Sequence, residues 1–212
     1  MAFEQYHAKV EKALQNFVPA RTANSLAGLV VRNQVILKIK RPRRTKLGDY
    51  RPHQNGVQHI ITINNNLNQY AFLITLVHEI AHLYQFRTYG RKAKPHGEEW
   101  QSYFRQLMQP YLAQKVFPTE IQDALLKHMN NIKASSCVDH NLQEALKKYD
   151  VNQPKGVVTV AELAPLQTFE WGAKGRIFRI EGKMRTRYKC IELHTGRAFA
   201  FSAMAQVKPV RL

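Results

Sequence analysis

Cysteine is nearly missing from this chain. Cys137 and Cys190 are the whole complement, which is too few for a disulfide framework and makes a reducing compartment the expected one. The opening residues, Met1 to His7, hold no apolar stretch of the kind a secretory signal requires. A cytoplasmic location is therefore expected, with association with the nucleoid open to it. No apolar run approaches the ~18 residues of a membrane span, so no membrane partner is expected. Internal repeats and low-complexity tracts are absent too. Acid is scarce: 15 Asp and Glu stand against 32 Lys and Arg, a net charge of +17. With a pI near 10.1, that balance suits a polyanionic partner.

What the chain does have is concentrated in one apolar stretch. From Gln69 to Phe86 there is neither Gly nor Pro, and the segment is predicted to be helical. Phe72, Leu73, Leu76, Val77, Ile80 and Leu83 fall around most of its circumference, the pattern of a helix buried in a core. Inside it sits His78-Glu79-Ile80-Ala81-His82, an H-E-x-x-H motif. At about 100° per residue the two histidines lie roughly 40° apart, one turn from each other, so both imidazoles can reach a single ion. Polar groups in such a helix are costly unless satisfied. A Zn2+ ion satisfies them with two imidazoles, a third protein ligand and a position left for water. Glu79, on the adjacent shoulder, can take the proton of that water as general base. The plain alternative is a pair of core histidines bonded to backbone or buried water.

The third ligand has a candidate in His96, within Lys94-Pro-His-Gly-Glu-Glu-Trp100. Gly90 is placed to cap the metal helix and a new helix to start near Gly97, with the basic turn Arg91 to Lys94 reversing the chain between them. His96 then faces back. Glu98 and Glu99 compete with it, since a glutamate from a following helix completes some zinc sites. They also suit the first turn of a helix through its dipole.

Leu47-Gly-Asp-Tyr50, His59 to Asn68, His78 to His82 and His96-Gly-Glu-Glu-Trp100 together resemble the SprT-like zinc metallopeptidase domain, over roughly residues 1 to 115. The resemblance implies a helix-plus-sheet, zincin-like core with His78, His82 and His96 as ligands of one catalytic zinc and Glu79 as acid/base. It also implies a protein or peptide substrate, and Spartan-type relatives degrade proteins bound or crosslinked to DNA.

Along the chain, Phe3, Tyr6, Val10, Leu14 and Phe17 recur at helical spacing, predicting a first amphipathic helix. Val35, Leu37 and Ile39 alternate, as do Ile61 and Ile63, so two or more strands precede the metal helix. Helices are predicted from Trp100 to about Ala113, from Pro118 to about Asn130, and over Leu142 to Tyr149. Beyond Asn152 to Gly156 short β-rich runs take over: Thr168 to Trp171, Arg176 to Ile180, Thr186 to Leu193, Ala198 to Phe201 and Gln206 to Val210. The expected fold is α+β, a helix-rich domain over 1–152 followed by a small basic β-rich module over 157–212.

The module departs from the resemblance. SprT-like proteins often end in a zinc ribbon of two cysteine pairs, and only Cys190 stands here. Cys137 with His140 and Cys190 with His194 are the residues from which a second, Cys2His2 site could be built. The favoured expectation is a buried Cys190 in a metal-free sheet or barrel whose core is Phe169, Trp171, Phe178, Tyr188, Phe199 and Phe201. The sharper expectation makes those aromatics a stacking platform for bases.

Basic residues gather in two places. Lys40, Arg41, Arg43, Arg44 and Lys46 flank Pro42, which favours an edge or loop. Arg176, Arg185, Arg187, Lys189 and Arg197 lie in the module, where Arg185, Arg187 and Lys189 alternate and should share one side of a strand. Both groups are candidate phosphate contacts for DNA, independent of sequence and sensitive to salt. The expected function is a zinc-dependent endopeptidase working on or near DNA. The alternatives are a nucleic-acid-associated scaffold with a structural zinc and a zinc hydrolase of non-peptide substrates.

Overall fold

Six helices and nine strands arise where local pattern and tertiary burial agree, as seen in a computed structural model that describes residues 2–43, 46–52, 59–130, 139–150, 156–172, 175–185, 187–203 and 205–210. Arg44, Cys137 and the connecting residues Asn152 to Lys155 lie outside that set. The chain divides into two compact units, Met1–Val151 and Asn152–Leu212, and the fold is α+β.

In the first unit, α1 (Ala2–Leu14) and α2 (Ala23–Arg32) pack together and lead into a sheet of β1 (Val35–Lys40), β2 (Gly48–Pro52) and β3 (His59–Asn64). The amphipathic stripe of α1 reaches the core only at its C-terminal end. Val10 and Leu14 are buried, whereas Phe3 and Tyr6 are exposed. β3 is central, parallel to β1 and antiparallel to β2. Its neighbours' flanking positions explain its composition, because Ile61 and Ile63 are covered completely. β1 is an edge strand that stops at Lys40, before Pro42, as that proline requires.

The metal helix α3 (Gln69–Tyr89) starts at Asn68, whose side-chain oxygen accepts from the N–H groups of Tyr70 (3.1 Å) and Ala71 (2.9 Å). It stops at Gly90, which holds φ +61°, a conformation glycine adopts without a Cβ penalty. Phe72, Leu73, Leu76, Val77, Ile80 and Leu83 are all fully buried, so the absence of a polar face reflects a helix enclosed on every side. β2 and β3 cover one flank and α4 (Glu98–Ala113) another. α5 (Thr119–Asn130) and α6 (His140–Lys147) pack on each other. The side-chain amide of Asn68 ties α3 to the end of α6 by donating to Leu146 O (2.8 Å) and Asp150 Oδ1 (2.7 Å).

The second unit is an antiparallel sheet of β4 (Val158–Thr159), β5 (Thr168–Trp171), β6 (Arg176–Lys183), β7 (Arg187–Glu192), β8 (Ala198–Ser202) and β9 (Gln206–Val210), in the order β4-β9-β5-β6-β7-β8. Period-2 alternation decides its two faces. Phe169, Phe178, Ile180, Cys190 and Phe201 are buried on one, with Trp171, Tyr188 and Phe199 packed at its margin.

Candidate metal centre and cleft

His78 and His82 lie one turn apart on α3, and their Nε2 atoms are 3.2 Å apart. His96 arrives from the turn before α4, its Nε2 3.0 Å from that of His82 and 3.1 Å from that of His78. The histidine has φ +60°, an uncommon left-handed backbone for a non-glycine residue that the surrounding turn must hold. Gln85 does so from α3 by donating to Lys94 O (2.9 Å), Gly97 N donates to the same carbonyl (3.0 Å), and Gln101 donates to His96 O (3.1 Å). Glu98 and Glu99 stay in the first turn of α4 and are not in the ligand cluster. Among the described residues, His78, His82 and His96 form the one group of three or more side chains that could hold a metal ion.

The ring chemistry fits an ion. Three nitrogens bound at 2.0–2.1 Å in tetrahedral geometry are about 3.3 Å from one another, close to the separations found. Three converging Nε2 atoms cannot all be satisfied by one another, because each neutral ring offers a single proton and one lone pair. All three are held neutral. Burial drives His78 well below the ordinary imidazole value, lowers His82 to about 4 and lowers His96. Their lone pairs are thus available to a cation that suits imidazole, zinc among them. Trp100 backs the cluster with its ring centroid 4.6 Å from His78 and 4.8 Å from His96, donates to His78 O (3.3 Å), and stacks on Phe104.

Glu79 is buried beside the histidines, against β2. Burial and the charge of Asp49 push its carboxyl up to about 8, opposed by the Tyr50 N–H, Arg43 and Lys46. This approach depends on Gly48. A Cβ there would meet Glu79 Oε1 at 2.6 Å and Thr75 Cγ2 at 2.7 Å. The loop before β2 is clasped by Arg43, which donates from Nε to Asn64 Oδ1 (2.8 Å) and from Nη1 to Thr62 Oγ1 (2.8 Å). Tyr50 is anchored through His59, with 2.9 Å between its hydroxyl and the ring Nδ1.

The centre opens into a cleft of about 590 Å3. Lys46 and Leu47 line it together with Gly48, Asp49 and Tyr50 of β2. Phe104, His128, Asp139, Leu142, Gln143 and Leu146 line it as well. The sequence shows the motif through its spacing and His96 through its turn. It gives no sign of Gly48 as a packing requirement or of His128 and Asp139 as cleft residues, because those roles come from distant segments.

The predicted phosphate contacts have separate surroundings. Lys40 and Arg41 are exposed, whereas Arg43 is engaged in its clasp and Lys46 pairs with Asp49 at 2.6 Å. In the module, Arg187 and Lys189 point outward from β7 and Arg185 and Arg197 are exposed in turns. Arg176 instead lays its guanidinium over Trp171, Phe178 and Phe199 and faces the buried Glu192 at 3.6 Å. The aromatics of the stacking-platform reading thus line the module's own core or its margin. Cys190 is a buried thiol, pushed up to about 11 by burial, and His194 is exposed.

Fold and site define an α+β protein with three histidines placed to hold a metal ion and a buried glutamate beside them. The chain belongs to the SprT-like family, whose model matches residues 5–123, a family of metallopeptidase type. A curated relative, Protein SprT of Pseudomonas fluorescens (strain SBW25), is 35% identical over 74 residues, covering 35% of this chain and 43% of that protein. The chain thus spans less than half the length of the curated relative it matches. No solved structure matches it. No described helix is long and apolar enough to cross a membrane.

Proposed function

We propose that the chain is a zinc-dependent endopeptidase of the SprT type, acting on proteins bound or crosslinked to DNA. The observation that carries the reading is the convergence of three neutral imidazoles within 3.0–3.2 Å, with Glu79 beside them in the same cleft. His78, His82 and His96 would hold a zinc ion, with Trp100 packed against their rings, and the ion would supply Lewis-acid chemistry for the scissile carbonyl and the attacking water. Glu79 moves the proton. As water oxygen bonds to the carbonyl carbon, the carboxylate accepts the water proton, and as the C–N bond breaks it returns that proton to the amine nitrogen.

The DNA component rests on charge and exposure. Arg187 and Lys189 project from one face of β7, with Arg185 and Arg197 exposed nearby in sequence, in a chain of net charge +17. Such residues suit backbone phosphates and carry no base preference. The test is cleavage of a DNA-binding protein by the zinc-loaded chain, with and without single- and double-stranded DNA, beside Glu79→Gln. Cleavage that needs both DNA and Glu79 is expected. Retained turnover in Glu79→Gln removes that residue from the mechanism, and cleavage indifferent to DNA removes the DNA component.

A further inference from the structure

His128 lines the cleft without belonging to the metal centre. It projects from the last turns of α5, its ring 6.5 Å from that of Phe104, whose other neighbours include His78 at 6.1 Å. Its Nδ1 faces Asp139 Oδ2 at 3.6 Å, within ion-pair reach and longer than a hydrogen bond. The partner is itself fixed. The other carboxylate oxygen of Asp139 caps α6, accepting from the N–H groups of Asn141 (3.0 Å) and Leu142 (3.3 Å). Asp139 can only accept, so it selects the ring tautomer with the proton on Nδ1, and Nε2 is left as a lone-pair acceptor. Burial holds His128 below the ordinary imidazole value against the opposing pull of Asp139, which favours the neutral ring at neutral pH. The same cleft is also lined by Phe104, Leu142, Gln143 and Leu146.

We infer that His128, oriented by Asp139, is a further catalytic residue of the proposed peptidase: its Nε2 accepts a hydrogen bond from the scissile nitrogen as that nitrogen gains a proton and leaves. This rests on the peptidase reading above. In the step concerned, Glu79 gives its proton to the amide nitrogen of the tetrahedral intermediate, the C–N electron pair stays with nitrogen, and the carbonyl re-forms. The nitrogen then carries more N–H bonds and positive charge than in the substrate, so an acceptor there is stronger in the transition state than in the ground state. His128 transfers no proton itself.

The assignment is tested with a Gly-Leu peptide phosphonamidate and its phosphonate ester, the same molecule with the N–H replaced by oxygen. Both are titrated into the zinc-loaded full-length chain and its variants, with zinc content and Tm measured for each. Wild type should bind the N–H compound about 10–100-fold more tightly, the worth of one hydrogen bond in a buried site. In His128→Ala the ratio should fall towards one with zinc retained. Asp139→Asn still caps α6, since Asn caps as well as Asp, but it admits the wrong tautomer and should also lower the ratio. A ratio unchanged in His128→Ala overturns the inference while leaving the peptidase reading intact. A collapsed ratio in a chain that cleaves no protein supports His128 as the amine contact and removes the peptidase reading. Failure of both compounds to bind wild type overturns both.

Discussion

Gly48→Ala is the substitution whose consequence follows most directly from distance. The added methyl would lie 2.6 Å from Glu79 Oε1, 2.7 Å from Thr75 Cγ2 and 2.9 Å from Glu79 Cγ. The carboxylate tip could swing away, but the other two atoms cannot. Thr75 is β-branched and buried, and its hydroxyl is bound to Ala71 O at 2.7 Å. β2 is equally held, by its ladder to β3. Relief of roughly 0.7 Å must therefore come from β2 moving off α3, which withdraws it from Glu79. Overpacking of this kind costs about 1–3 kcal/mol, so Tm should fall by several degrees. Displacement of a catalytic group by about 1 Å costs on the order of 100-fold in rate. The assay is kcat/KM on a protein substrate together with bound zinc and Tm. Expected is a large loss of rate with zinc retained, because the three histidines do not touch Gly48. Wild-type rate and wild-type Tm together would refute the claim that β2 positions Glu79.

Glu79 has its pKa raised to about 8 in the folded chain against an ordinary 4.5. Folding then binds a proton between those values, and its contribution to stability is lost as pH rises through about 8. Metal-free Glu79→Gln should therefore be more stable than metal-free wild type at pH 8.5, by on the order of 5 kcal/mol, with the gap closing below pH 4.5; urea unfolding in chelator at several pH values measures it. Asn68→Ala removes the α3 cap and both bonds to the α6 end, and a loss of about 2 kcal/mol is expected in thermal unfolding. The double variant Arg187→Ala with Lys189→Ala should leave Tm unchanged, weaken DNA binding, and reduce the slope of log affinity against log salt by about 2. Unaltered slope would exclude those two side chains from phosphate contact.

Much of the architecture was written in short-range pattern. The spacing of His78 and His82, the buried circumference of α3, the cap at Gly90, and the alternation that builds β5 to β9 all depend on residues within a turn or a strand of one another. Those periodicities survive any packing arrangement, which is why the α+β division and the two-histidine motif were readable before a structure. The choice of His96 over Glu98 and Glu99 was narrower, because it turned on the path of a single loop. Gly48 against Glu79, Arg43 as a clasp, the outward ends of Phe3 and Tyr6, and the pairing of His128 with Asp139 were decided by tertiary structure alone. Each depends on which distant surface reaches a given side chain, and that is set by how the whole core closes. The sequence by itself therefore determined where a metal could be held, and the tertiary structure decided what stands around it.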